Sequence, residues 1–493
     1  MSLALFFGVL VLLLVLTVPI CVSFAFVTLL PSIVDASFPY TADAAVRSMV
    51  SGLNNFPLLA IPLFIIAGVI MAKGQISERL FNVFSYFFGN RTAGLPCAVT
   101  ITCLFYGAIS GSGPATTAAV GSMCIPLLTS VGYDLTFATA LVAVSGSLGI
   151  IIPPSIPYIM YCNASGASIS ELFLAGFLPG VLIALCLMVY SYIYCKIHGE
   201  DKDKLNAKCM ELRAKGLGTV LKEGFWALMS PVIILGGIYG GICSPTEAAT
   251  ISIFYSLIVS LFIYRTIKIR DLPKIMLEGI HSYAPILIIL SAAVAFARVI
   301  TLMNVATIVS EAVLSAISSK VVILLLINVL LLFVGMIMDT GPAILVFTPV
   351  LLPVAEAIGV DPIHFGIIMC VNLAIGFVTP PMGANLFVAS NLSKALCVRY
   401  RQKGSSLYPG VPDRLAADHF RAPDQHVLAA VRARGSCPFI VLIIFKEDIP
   451  MKKLLALLLS LATALSLAAC GGGETAQQEP GGDAAGETYE LLW

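Results

Sequence analysis

Ser110-Gly-Ser-Gly-Pro-Ala115 and Asp339-Thr-Gly-Pro-Ala343 are helix-breaking stretches set inside otherwise apolar sequence. Each is followed by Gly-x-x-x-Pro-Pro, as Gly149-Ile-Ile-Ile-Pro-Pro154 and Gly376-Phe-Val-Thr-Pro-Pro381. Pro114 and Pro153 are 39 residues apart, and Pro342 and Pro380 are 38 apart. In lipid a backbone must satisfy its own hydrogen bonds, so a broken helix is tolerated only where protein buries it or where it lines a cavity. Interruptions at matching places in two halves of a chain point to a transporter's binding site.

Composition agrees with that setting. The 493 residues are 59% hydrophobic and 11% charged, against about 25% charged in soluble domains. A net charge of +1 argues against a nucleic-acid partner. The 13 cysteines form no Cys-x-x-Cys pair and the five histidines are isolated, so metal catalysis has no support and the cysteines read as small core residues. No His-Glu-x-x-His or Gly-x-Ser-x-Gly constellation marks an intramembrane enzyme.

Around the motifs, the apolar legs 95–110 and 115–131 predict a re-entrant hairpin with its tip at 110–116. The stretch 136–161, interrupted at 145–157, predicts a discontinuous helix. Residues 321–358 predict a second hairpin around Asp339–Ala343, and 363–390 a second discontinuous helix. Spans are expected at 3–30, 53–72, 171–195, 226–242, 246–265 and 283–303, with amphipathic helices at 75–90 and 305–318. Seven Lys or Arg lie between Lys196 and Lys222, which places the polar loop 196–224 in the cytoplasm. Counting spans from it opens hairpin one to the cytoplasm and hairpin two to the exterior, with five crossings between them, so the repeats are inverted.

The expected fold is therefore an all-α polytopic membrane protein with two inverted repeats, each a re-entrant hairpin plus a discontinuous helix. The divisions are scaffold helices at 1–90, repeat one at 91–162, and scaffold helices at 163–319. Repeat two follows at 320–395, then a segment of different composition at 396–450 and a tail at 451–493.

The chain resembles the large membrane subunit of tripartite ATP-independent periplasmic (TRAP) transporters. The matching stretches are Phe56-Pro-Leu-Leu-Ala-Ile-Pro-Leu-Phe-Ile-Ile-Ala-Gly68, Ser110-Gly-Ser-Gly-Pro-Ala-Thr-Thr-Ala-Ala-Val-Gly121 and Gly149-Ile-Ile-Ile-Pro-Pro-Ser-Ile-Pro157. Pro245-Thr-Glu-Ala-Ala249 and Thr379-Pro-Pro-Met-Gly-Ala-Asn-Leu-Phe-Val388 complete the set. The resemblance spans roughly 1–395. It implies a bacterial inner-membrane permease with an elevator-type ion-transporter fold. It also implies sodium-driven uptake of a small carboxylate, C4-dicarboxylate-like or related. The implied partners are a small TRAP membrane subunit and an extracytoplasmic substrate-binding protein, itself a lipoprotein. Another ion-coupled carboxylate transporter, or an ion channel, is the alternative.

The tail departs from this pattern. Residues 1–396 hold seven arginines, whereas 397–438 alone hold six. Met451-Lys-Lys then opens an apolar run ending Leu467-Ala-Ala-Cys470, which has the form of a bacterial lipoprotein signal peptide. The expectation is two adjacent reading frames joined by out-of-frame sequence, the second encoding the start of the binding protein; a final spanning helix at 451–469 is the plainer alternative.

Hairpin tips and unwound helices offer carbonyls and hydroxyls to a hard cation, and half-helix N-termini to a carboxylate. The candidates are Ser110, Gly111, Ser112, Gly113, Pro114, Thr116 and Thr117 at tip one, and Ser145, Gly146, Ser147, Gly149, Pro153 and Pro154 at the first break. At tip two they are Asp339, Thr340, Gly341 and Pro342, and at the second break Gly376, Thr379, Pro380, Pro381 and Asn385. Sodium is expected near Ser112, Ser147, Thr340 and Thr379, with no organic cofactor. The alternative role for these small residues is close helix packing. Glu247 is a candidate helix cap, and Arg298 either reaches for the outer interface or offers a carboxylate partner.

Overall fold

A computed structural model describes residues 3–35, 37–379 and 383–393. Pro380, Pro381, the segment 396–450 and the tail 451–493 lie outside the described residues. Among those described every regular element is helical. In chain order the helices are α1 Leu3–Val15, α2 Ile20–Val34, α3 Ala42–Leu53, α4 Ala60–Lys73, α5 Ile76–Phe88, α6 Gly94–Ser110 and α7 Gly113–Ser130. Then come α8 Leu135–Gly146, α9 Leu148–Ile151, α10 Ile156–Ser165, α11 Ile169–His198, α12 Lys202–Ala214, α13 Leu217–Tyr239 and α14 Pro245–Ile258. The series ends with α15 Leu272–Leu302, α16 Val305–Ala316, α17 Lys320–Ile337, α18 Thr340–Ala357, α19 Pro362–Gly376 and α20 Ala384–Ser393. Eight helical stretches among the described residues are long and apolar enough to cross a bilayer.

Helices fall in the expected stretches: α6 and α7 in the first expected hairpin, α17 and α18 in the second, α8, α9 and α10 in the first expected discontinuous helix, and α19 and α20 in the second. One expectation needs correction, and two polar segments contain helices. The run 3–30 is not one span, because Thr17 takes a left-handed conformation (φ 60°) and Pro19 follows it, which separates α1 from α2. The polar stretch 31–52 contains α3, started by the Thr41 hydroxyl accepting from Ala44 N. The loop 196–224 contains α12, capped by Asp201 on Lys204 N. In both polar segments the cap and not an apolar stripe sets the helix start.

The long α11 shows how local chemistry fixes an element. Ser168 caps its start by accepting from Glu171 N, and Lys196 and His198 occupy its last turn, where cations complement the dipole. Just beyond it, Glu200 accepts from Ala93 N at 3.0 Å and from the Tyr133 hydroxyl at 2.5 Å, tying α11 to the base of the first hairpin. Burial and the Glu200 carboxylate together push the Tyr133 phenol up. Through its length α11 packs on α6, α9, α10 and α19.

The two repeats are built alike inside. Gly107 and Gly335 each stand seven residues before their Gly-Pro-Ala proline. A Cβ on Gly107 would lie 2.8 Å from Gly149 Cα, and one on Gly376 would lie 2.4 Å from the Gly335 carbonyl carbon. So in each repeat a hairpin leg meets its broken helix glycine on glycine. Two turns earlier a buried polar pair ties the same two helices: Thr100 and Ser145 hydroxyls at 3.2 Å, and Asn372 Nδ2 donating to Asn328 Oδ1 at 2.6 Å. Thr100 and Asn328 both lie 14 residues before the tip proline. Asn372→Ala would leave the Asn328 acceptor buried and unpaired, so the detergent-solubilised protein should lose about 1–3 kcal/mol of stability. An unchanged thermal midpoint would show that this pair holds nothing together.

The repeats also exchange their second half-helices. α10 of repeat one packs on α18 of repeat two, and α20 of repeat two packs on α7 and α8 of repeat one. The first large core cluster runs through this exchange, joining Tyr158, Ile159 and Met160 to Ile344, Leu345 and Phe365.

Candidate functional site

Tip one begins where α6 stops at Gly111, which takes φ +61° and donates its N–H to Gly107 O. A Cβ at Gly111 would lie 2.8 Å from Pro154 O, and Ile156 N donates to Gly111 O at 3.2 Å, so the tip is seated against the break of the first discontinuous helix. Glycine supplies both the left-handed conformation and the close approach. Ser112 is extended, and Pro114 falls in the first turn of α7, where its missing N–H breaks no helix bond. Behind the tip, Thr116 Oγ1 donates to Ser112 O at 2.8 Å and sits 2.8 Å from Ser110 Oγ. Gly149 presses on the same group: its Cβ would come within 2.3 Å of Thr116 Oγ1 and 2.7 Å of Ser112 O. The first break itself is closed by Pro153 and Pro154, joined by a cis peptide bond, and by Ser155 Oγ donating to Ile150 O.

Tip two is built differently at the equivalent place. Where repeat one has Gly111, repeat two has Asp339. Its Oδ1 accepts from Thr340 N at 2.7 Å, so the carboxylate caps α18, and Ala343 N donates to Asp339 O at 3.2 Å. Gly341 faces the sulfur of Met160, 3.2 Å from where a Cβ would stand.

The two tips meet at one cavity of about 110 Å³. Gly111, Ser112, Gly113 and Pro114 line it from tip one, and Asp339, Thr340, Gly341 and Pro342 from tip two. Its remaining wall is apolar: Ile150, Ile156, Pro157 and Met160 of the first broken helix, Phe377 after α19, and Ile286 and Ile289 of α15. Ile286 and Ile289 follow Pro285 inside one continuous helix, outside the repeated motifs, so the repeat spacing does not single them out.

The other candidates stand behind this wall. Ser145 pairs with Thr100, and Ser147 Oγ donates to Val144 O at 2.7 Å. Thr379 Oγ1 donates to Ile375 O at 2.8 Å. Gly146 abuts Thr117, and Gly376 abuts Gly335. Asn385 of repeat two reaches into repeat one, its Nδ2 donating to Ala143 O at 3.2 Å. Thr117 Oγ1 and Asn385 Oδ1 are fully buried with no hydrogen-bond partner. Thr117 follows Gly113 by one turn on the same helix face, and Asn385 Oδ1 lies 3.1 Å from where a Gly113 Cβ would be. Neutral oxygens left unpaired beside a helix break are the donor type that holds a hard monovalent cation. Ser147 and Thr379 give their hydroxyl protons to their own helix carbonyls and keep their oxygen lone pairs, and Thr117 and Asn385 add two oxygens without a partner.

Glu247 caps α14 in a reciprocal box with Ser244, accepting from the Ser244 backbone and hydroxyl. Arg298 is exposed on α15 and does not line the cavity.

Comparison with known proteins assigns the family. The profile of the tripartite ATP-independent periplasmic transporter, DctM component, matches residues 7–408, past the limit of 395 expected from the motifs. The chain belongs to this family. TRAP permeases are transporters and not enzymes, and this one is a multi-pass protein of the bacterial inner membrane. The isethionate TRAP transporter permease protein DctMQ of Oleidesulfovibrio alaskensis is 44% identical over 394 residues, 79% of this chain and 60% of that protein. The C4-dicarboxylate TRAP transporter large permease protein DctM of Pseudomonas aeruginosa is 39% identical over 68% of this chain and 78% of its own length. The sialic acid TRAP transporter large permease protein SiaM of Vibrio cholerae is 35% identical over 71% and 80%. The YdaH transporter of Alcanivorax borkumensis shares the fold, with a TM-score of 0.57 at 14% identity, covering 93% of this chain and 98% of that one.

Proposed function

We propose that this permease carries out sodium-coupled uptake of a small organic anion, received from an extracytoplasmic binding protein and assisted by a small membrane subunit. The observation that carries the reading is a cavity lined by both of two repeat-equivalent helix tips. An N-terminal helix end facing a cavity favours an anion, and unpaired neutral oxygens beside it favour a coupling cation. Relatives named for isethionate, C4-dicarboxylates and sialic acid support an acidic substrate without fixing which.

The transport unit comprises both hairpins and both broken helices. We add α11 to it, because α11 packs along α6, α9, α10 and α19. Helices α1–α5 and α13–α16 are the scaffold, and α15 supplies the stationary wall of the cavity through Ile286 and Ile289.

Proteoliposomes holding the permease, its small subunit and its binding protein provide the test. Uptake should saturate with substrate and require an inward sodium gradient. Thr117→Val, which removes the unpaired hydroxyl at constant shape, should raise the sodium concentration for half-maximal uptake at least tenfold. Uptake driven equally by a proton gradient without sodium would overturn the coupling.

A further inference from the structure

The two tips are equivalent in the repeat but opposite in charge character. At tip one the Ser112 side chain makes no capping bond, so the first turn of α7 presents its partial positive charge to the cavity. At tip two the same position in α18 is neutralised by Asp339, whose carboxylate caps the helix and stands open to the cavity. Among the described residues no lysine, arginine or histidine lines the cavity. The nearest arginine of the neighbouring wall helix, Arg298, is outside it.

A cavity of about 110 Å³ is no wider than the ~8 Å screening length of physiological salt. Every charged group of a bound ligand therefore feels Asp339, in surroundings less polar than water. One anionic group can turn toward α7 and away from Asp339. A second anionic group has no such place, because the end remaining to it is Asp339, to whose Oδ1 Thr340 already gives its N–H and hydroxyl, and the side wall is aliphatic or aromatic. A hydroxyl or amino group at that end would instead donate to the carboxylate.

We propose that Asp339 is a charge filter, and that the substrate is a small organic acid with one anionic group and one hydrogen-bond donor, such as a short hydroxy-carboxylate or hydroxy-sulfonate, and not a dicarboxylate. This rests on the anion-uptake reading above. It assigns the anionic group to tip one and the donor to tip two.

The test measures the permease directly, without the binding protein's own selection. Ile289→Cys, on a background free of the native cysteines, reports cavity occupancy through protection from alkylation in membranes at fixed sodium. The probes are lactate and malonate, which have the same carbon count and differ in the second polar group. Lactate should half-protect at a concentration at least tenfold lower than malonate, about 1.4 kcal/mol. Asp339→Asn should bring the two within about twofold. Asp339→Ser keeps a helix-capping oxygen without the charge and should do the same, which separates the charge from folding of the tip. Malonate protecting as well as lactate in the parent overturns the proposal. So does a ratio unchanged in both Asp339 variants, or a shift only in the sodium required, which would make Asp339 a cation ligand. Protection by neither probe, nor by any other small anion tried with sodium, removes the anion-cavity reading itself and the filter with it.

Discussion

Gly376→Val should remove both the folded permease and its uptake, while Gly341→Ala should leave the folded yield near that of the parent. The difference lies in what each new side chain meets. A Cβ at Gly376 would stand 2.4 Å from the Gly335 carbonyl carbon and 2.5 Å from its Cα. These are backbone atoms of α17, so the two helices must part along a buried seam. That seam includes the Asn328–Asn372 bond two turns away, which would open with it. Overpacking of this kind typically costs about 1–3 kcal/mol, and a polar pair left buried but unbonded adds its own loss of ~1–3 kcal/mol. At Gly341 the nearest atoms are the sulfur and methyl of Met160, 3.2 and 3.3 Å away, at the free end of a flexible side chain. Gly113 falls between these cases: its neighbours are Ile150 Cδ1 at 2.9 Å and Asn385 Oδ1 at 3.1 Å. Gly113→Val should therefore insert and fold but lose uptake, as should Gly341→Val, because a branched side chain fills the cavity where an alanine does not. Membrane yield by gel filtration and uptake in proteoliposomes separate the outcomes. Normal yield and uptake for Gly376→Val would mean that the glycine seam does not hold the repeat.

Much of this architecture is legible in the sequence, because breakers are conspicuous in apolar surroundings. Gly111, Gly113, Pro114, Asp339, Gly341 and Pro342 all line one cavity, as their spacing predicts. What stays hidden is of two kinds. One is contact between elements distant in the chain: the exchange of α10 and α20 between repeats, and the Ile286 and Ile289 wall. No local pattern encodes which broken half-helix packs on which hairpin. The other is polarity that looks bland in isolation. Thr100, Asn328 and Asn372 lie in apolar helices, and only aligning the two repeats on their prolines shows that they occupy matching places. Hydroxyls near a break are also ambiguous, because Ser147 and Thr379 bond back to their own helices while Thr117 does not. That choice depends on rotamer and neighbour.

Crosslinking should reveal two registers between the transport unit and the scaffold, displaced along the membrane normal. We propose that the repeats are inverted, so that two packings of the same halves against one scaffold have similar energies and face opposite sides, which alternating access requires. The exchange of half-helices dictates what kind of movement is possible. With α10 packed on α18, and α20 on α7 and α8, neither hairpin can travel without carrying the other. Asn385 reinforces this, donating from repeat two to Ala143 O of repeat one. In this proposal the unit slides as a body past α15, whose Ile286 and Ile289 line the same cavity. Helix α18 also packs on α15, so this interface reports the slide. On a background without the native cysteines, a cysteine at Ile289 would be paired in turn with one at Gly341, Leu345 or Thr348, successive places along one face of α18. One pair should dominate without ligand, and substrate with sodium should transfer the crosslink by at least one helical turn, about 5.4 Å. A control pair tests the assignment of α11. Cys97 of α6 has its sulfur 3.9 Å from Met188 O of α11, so Cys97 retained with Met188→Cys should crosslink equally in every condition. If that pair also changes, α11 belongs to the scaffold and Glu200 must release Tyr133 in each cycle. If instead the Ile289 pairs keep one register under all conditions while uptake persists, the unit does not slide, and access is switched by local opening of the tips.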